Sequence, residues 1–238
     1  MDNIVYIVTG TERSGSSLLS ALLANSGAKF NMPIVEDWYR GSGAYEHEDY
    51  MRLIKHVKRS LFFKRFSDRL CNRERKKAIA IAKTLFKTSK FVKYPPFSEH
   101  IANIAKEAGF EPRIILIYRK FNDYLRSSMI KSGGTFNDHK QNYMSVNQTC
   151  FAQLFIYGGC AVTYEELMDL DEVSWAKRLS NLCNLDEEVL LDFRSKTVKE
   201  FENINQIPQL DDEAAHLYQL ISAHKNNIII GEQQKMHS

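Results

Sequence analysis

The chain has few cysteines, and none is spaced for chemistry. Cys71, Cys150, Cys160 and Cys183 form no CxxC pair, and no His/Cys pair stands at metal-ligand spacing. Neither a zinc site nor a redox dithiol is expected, so no metal is expected. Thiols scattered in this way through an α/β-type chain fit a reducing compartment, and the expected location is cytoplasmic. Long apolar runs are missing as well. The run near the N-terminus spans only about seven residues, follows Asp2 and precedes no cleavage-type site, so it does not read as a signal peptide. No window reaches the ~20 apolar residues of a membrane helix, so no membrane span is expected. A strong charge of one sign is also missing. Thirty-two Lys and Arg against 29 Asp and Glu leave a net +3, which fits a basic pocket better than a surface coating nucleic acid. There is no repeat and no low-complexity segment. At 238 residues, 44% hydrophobic and 26% charged, the chain suits one domain, with a core over 1–195 and a helical C-terminal extension over 196–238.

What is present alternates. Residues 4–8 form a continuous apolar run, β-branched except at Tyr6, the pattern of a strand buried on both faces. A Gly/Ser-rich turn follows, then an apolar helix over 16–23 that ends at Ser26-Gly27. Residues 30–45 are irregular. Helices are predicted over 46–66, 73–87, 98–108, 122–131 and 141–157, with strands at 90–93, 113–118 and 160–164. Residues 175–184 and 211–224 also read as helix. This order predicts an α/β fold, a three-layer parallel sheet with helices on both faces. Ligands in such sheets bind beyond the carboxyl ends of the strands. Three candidate segments, 10–17, 93–97 and 119–127, fall there.

Gly10-Thr11-Glu12-Arg13-Ser14-Gly15-Ser16-Ser17 has the GxxxxG spacing of a phosphate-binding loop between a strand and a helix. In nucleotide P-loops the second glycine is followed by lysine. Here that position is Ser16, and Arg13 supplies a cation from elsewhere. At this point the chain resembles the sulfotransferases that use 3′-phosphoadenosine 5′-phosphosulfate, PAPS, which share a P-loop-like fold. Their 5′-phosphosulfate loop reads [K/R]-S-G-[T/S]-[T/S], and Arg13, Ser14, Gly15, Ser16 and Ser17 match at every position. The resemblance implies that these residues hold the 5′-phosphate and that Arg13 also stabilises charge during sulfuryl transfer.

A second stretch matches the family's R-[D/N]-P-x-D-x-x-x-S. It runs from Arg119 through Asp123 to Ser127, with Phe121 where proline is usual. The resemblance implies that Arg119 and Ser127 grip the 3′-phosphate. An arginine leaving a strand can fork onto a phosphate without appeal to any family. Phe91-Val92-Lys93-Tyr94-Pro95 resembles the family's K-x-P strand ending, and Lys93 is a candidate for electrostatic stabilisation of the transferring group. Val162-Thr163-Tyr164-Glu165-Glu166-Leu167 resembles its [V/I]-x-Y-E-[D/E]-L segment, with Tyr164 and Glu165 in structural roles. The C-terminal R-K-G-x-x-G of cytosolic animal-type enzymes is absent, which places the chain nearer the bacterial and tyrosylprotein-type branches.

The proton acceptor is less defined. Cytosolic animal-type enzymes use a histidine where this chain has Pro95. Other branches use a loop glutamate, and Glu36 stands about where it falls; Glu46 resembles a G-Y-[F/W]-E element. His47 and His100 are weaker candidates. Cations recur over 55–65 and 73–77, a solvated face or a landing surface for an anionic acceptor. Phe62, Phe63 and Phe66 among them read most simply as core, or in part as an exposed set that could hold an apolar acceptor. The expected function is sulfuryl transfer from PAPS, giving 3′,5′-phosphoadenosine (PAP), to a hydroxyl or amine of a small-molecule, glycan, lipid or peptide acceptor. No nucleic-acid partner is expected. An ATP- or GTP-dependent kinase with a degenerate loop, and a non-catalytic PAP/PAPS-binding module, are the alternatives.

Overall fold

A computed structural model describes residues 3–30, 48–93, 98–198 and 212–224. Four strands, β1 (Ile4–Thr9), β2 (Phe91–Lys93), β3 (Glu111–Tyr118) and β4 (Gly159–Thr163), form one sheet in the order β2-β1-β3-β4. All three pairings are parallel, with Tyr6 opposite Phe91 and Arg113, and Ile114 opposite Gly159. The helices are α1 (Ser16–Asn25), α2 (Glu48–Phe63), α3 (Asp68–Thr88), α4 (Ser98–Glu107), α5 (Phe121–Ser132), α6 (Phe136–Tyr157), α7 (Tyr164–Met168), α8 (Ser174–Cys183), α9 (Glu187–Val198) and α10 (Asp212–His224).

Side-chain alternation along the strands divides the core in two. Val5, Ile7, Val92, Ile114, Leu116 and Ala161 face a cluster completed by α2, α3, α4, α6 and α10. Val8, Phe91, Ile115, Ile117, Cys160 and Val162 face the other, completed by α1, α8 and α9. Because both faces are covered, the strands read as unbroken apolar runs. The result is the expected three-layer α/β architecture. The chain leaves β1 toward β2 on one side and returns past it to β3 on the other. The carboxyl end of β1 is therefore the switch point of the sheet, where a crevice for ligand opens.

Several predicted boundaries move, for local reasons. The helix expected from residue 141 begins at Phe136, because Thr135 and Asp138 form a reciprocal capping box. The helix expected from residue 73 begins at Asp68, capped by the Ser67 side chain. Tyr164, expected to end a strand, instead opens α7, because Thr163 and Glu166 make a second capping box. The segment expected as helix to residue 66 stops at Phe63 and turns into α3. That turn corrects the expectation for its aromatics: Phe62 and Phe66 are exposed, and only Phe63 is half buried. Among the described residues no helix is long and apolar enough to cross a membrane.

Candidate active site

The site is built on the loop that leaves β1. Gly10 passes so close to β3 that a Cβ there would lie 2.0 Å from the Ile117 carbonyl oxygen. Gly15, at φ 96°, would place a Cβ 2.4 Å from the Tyr164 ring. Both glycines of the GxxxxG spacing are thus demanded by packing and not only by the turn. Arg13 lies between them at φ 69°, a left-handed conformation uncommon for a residue with a side chain. Strain of this kind collects at functional sites. Ser14 N–H donates to the Thr11 carbonyl at 3.2 Å and closes the turn. Gly15 then opens α1 without any side-chain cap, leaving the first-turn N–H groups facing the loop.

The structure brings the two sequence motifs together. Arg13 Nε donates to Ser127 Oγ at 3.0 Å, across 114 residues of chain. Arg119 leaves the end of β3 with its guanidinium 4.1 Å from the centroid of the Tyr164 ring. Its Nε is buried without a hydrogen-bond partner among the described residues. The Ser14 hydroxyl is in the same condition, as is that of Thr11. An unpaired buried polar group is costly, so a cluster of them on one loop and the strand beside it marks a place shaped for a polar ligand.

Lys93 is 4% exposed and donates from Nζ to Ser17 Oγ at 2.8 Å. It is not a strand-end lysine facing water. The edge strand β2 delivers it onto the first turn of α1, so the charge missing from the Ser16 position arrives from a neighbouring strand. Seven expected residues, Arg13, Ser14, Gly15, Ser16, Ser17, Arg119 and Ser127, sit on this loop or within one helix of it, together with Lys93. Glu36, Glu46 and His47 lie outside the described residues. His100 stands on α4, on the other face of the sheet from α1.

Four supporting residues carry no site signal in the sequence. Tyr143 on α6 donates its hydroxyl to the Arg119 carbonyl at 2.6 Å. Glu165 accepts from the Lys120 backbone N–H at 3.0 Å and from the Tyr218 hydroxyl at 3.2 Å. Tyr164 lies under Arg119 and against Gly15. Together they clamp the junction of β3 and α5 that carries Arg119. The V-T-Y-E-E-L resemblance was the only sequence signal, and it pointed to structure. Burial pushes the Glu165 carboxyl above its ordinary value, against the backbone N–H of Lys120, which lowers it. Burial likewise raises the Tyr164 phenol, with Arg119 pulling the other way. Burial pushes the Cys160 thiol up to about 12, so it is inert packing and not a nucleophile. Among the described residues no group of three His, Cys, Asp or Glu is placed to hold a metal ion.

No protein-family model matches the chain, and no curated protein matches it. Solved structures do. The sulfotransferase domain from the curacin biosynthetic pathway is similar over 93% of this chain and 98% of its own, with a TM-score of 0.51 at 15% identity. The sulfotransferase domain from the Synechococcus PCC 7002 olefin synthase is similar over 92% and 94%, with a TM-score of 0.50 at 15% identity. The protein therefore has the fold of these sulfotransferase domains.

Proposed function

We propose that the protein is a PAPS-dependent sulfotransferase acting on a hydroxyl or amine. The observation that carries this is the Arg13–Ser127 hydrogen bond of 3.0 Å. It joins the residues matched to a 5′-phosphosulfate loop with those matched to a 3′-phosphate clamp, on a fold shared with sulfotransferase domains. PAPS would supply the sulfuryl group, its sulfur–oxygen bond to the 5′-phosphate breaking as the acceptor's bond to sulfur forms. On this reading Ser14, Gly15, Ser16 and Ser17 hold the 5′-phosphate with loop and helix N–H groups and hydroxyls. Arg119 and Ser127 hold the 3′-phosphate. Arg13 and Lys93 meet the negative charge that builds on the leaving oxygen, an electrostatic contribution worth most where water is excluded. Glu36 is the proposed acceptor of the nucleophile's proton, and Glu46 the second choice.

A thermal shift tests the donor site. A ligand that binds only the native state must raise the melting temperature, by an amount equivalent to about 2.7 kcal/mol at a hundred times its Kd. The expected result is a rise with PAP and none with ATP-magnesium. A rise with ATP-magnesium alone would move the protein to the kinase reading. Silence with both would overturn the donor assignment. PAP binding without turnover across an acceptor panel would favour the non-catalytic module.

A further inference from the structure

The charge of the protein is unevenly placed. Residues 48–88, the α2–α3 hairpin, hold thirteen Lys and Arg against four Asp and Glu. That is a net +9 in a chain whose total is only +3, so the remainder is acidic. Every one of those cations has an exposed side chain. Some serve the hairpin itself. Lys77 and Arg73 meet the buried Glu74, Arg52 meets Asp49, and Arg75 forks onto Glu107 at the end of α4. Arg59, Lys64, Arg65 and Arg69, the exposed cations nearest the tip in the chain, flank two aromatics. There Phe62 is 62% exposed and Phe66 73% exposed, with ring centroids 5.4 Å apart. Two neighbouring phenylalanines exposed to this degree are not accounted for by the core, which takes the opposite side of the hairpin through Leu53, Ile54, Val57, Ala78 and Ala82.

We infer that the α2–α3 tip is an anchoring surface for an anionic lipid bilayer. The apolar element is two exposed rings at the turn between two helices, so its partner must take up protruding side chains. A bilayer interface does so, with anionic headgroups at the depth of the cations and an apolar layer beneath them for the two rings. Lys64 and Arg65, between the phenylalanines in sequence, have long stems that reach the headgroups while the rings insert. The surface is separate from the donor site. About 30 Å of helix, the length of α3, lies between the tip and the start of β2. This inference does not rest on the proposed reaction.

Co-sedimentation of the full chain with vesicles tests it. Phosphatidylcholine vesicles are compared with phosphatidylcholine–phosphatidylserine vesicles, for the wild type and for F62A/F66A and K64E/R65E, with melting curves to establish that each variant is folded. The expected result is binding to the anionic vesicles only, released by salt. K64E/R65E should weaken partitioning at least about thirtyfold, and F62A/F66A about tenfold at unchanged charge. Equal behaviour on both vesicles, binding that salt does not weaken, or full binding by F62A/F66A would each overturn the proposal. So would displacement of the wild type from anionic vesicles by duplex DNA or polyglutamate, which would assign the surface to a nucleic acid or an acidic protein. The salt dependence of the wild type stands as a test even where a variant fails to fold.

Discussion

Two sets of arginines lie around the same sheet and are used in opposite ways. Arg178, on α8, forks into the interior. It meets the Glu166 carboxylate at 2.8 Å, the Ala161 carbonyl at 3.4 Å and Ser174 Oγ at 2.9 Å. Arg194, on α9, ties the carbonyls of Asp169, Leu170 and Glu172. Only the Nε of each is left over. At the carboxyl ends of β1 and β3 the pattern reverses. Arg119 is steadied by the face of Tyr164, and Arg13 by a neutral hydroxyl on Ser127. Among the described residues no carboxylate lies within ion-pair distance of Arg119. Arg178 and Arg194 spend both terminal guanidinium nitrogens tying the fold together. Arg119 is held by a ring face that fixes its position and leaves its guanidinium nitrogens for other partners.

This contrast is open to being broken. The largest effect expected is on stability, from Arg178→Ala. It removes the buried guanidinium that faces the Glu166 carboxylate and should cost about 3–5 kcal/mol in a denaturant melt, while the folded fraction still responds to PAP. Next is Arg119→Ala. It removes a ring contact worth about 1–2 kcal/mol of stability, yet should abolish most of the melting-temperature rise given by PAP. If Arg119→Ala proved the more destabilising of the two and still answered to PAP, the division between fold and site would fall. The smallest effect concerns the hairpin. Hydrogen bonds from His56 and then Lys77 hold the Glu74 carboxyl at about 2, below its ordinary 4.5. A depressed carboxyl contributes stability that is present above the ordinary value and is lost as pH falls from 4.5 toward about 2. The melting temperature should drop by a few degrees more over that window in the wild type than in Glu74→Gln. Parallel acid slopes for the two proteins would show that Glu74 does not lock α2 to α3.

Much of this was legible in one dimension. β1 and β3 announce themselves as apolar runs because strands buried on both faces have no polar side to show. The two stretches that meet through Arg13 and Ser127 could be named beforehand, the first from glycines at fixed spacing and the second from the family resemblance. Element ends were less legible. They depend on a single cap, as at Thr135 and Thr163, which the apolar periodicity of a helix does not contain. Which of Phe62, Phe63 and Phe66 are exposed was not legible for a related reason. An aromatic at helical spacing reads as core until the chain is seen to turn beneath it.

The sequence by itself determined the layering of the molecule, the loop after its first strand and the kind of charge that loop lacks. These follow from alternation, from residue size and from the absence of lysine at position 16. The tertiary structure alone decided how the missing charge is supplied. Lys93 reaches Ser17 from 76 residues away, and Arg13 reaches Ser127 across 114. It also set Tyr164 where Gly15 has no Cβ, making one ring both the floor of the loop and the platform for Arg119. Contacts between distant segments depend on the order in which strands pair. No local pattern carries that order, because it is settled by which apolar faces can be buried at once.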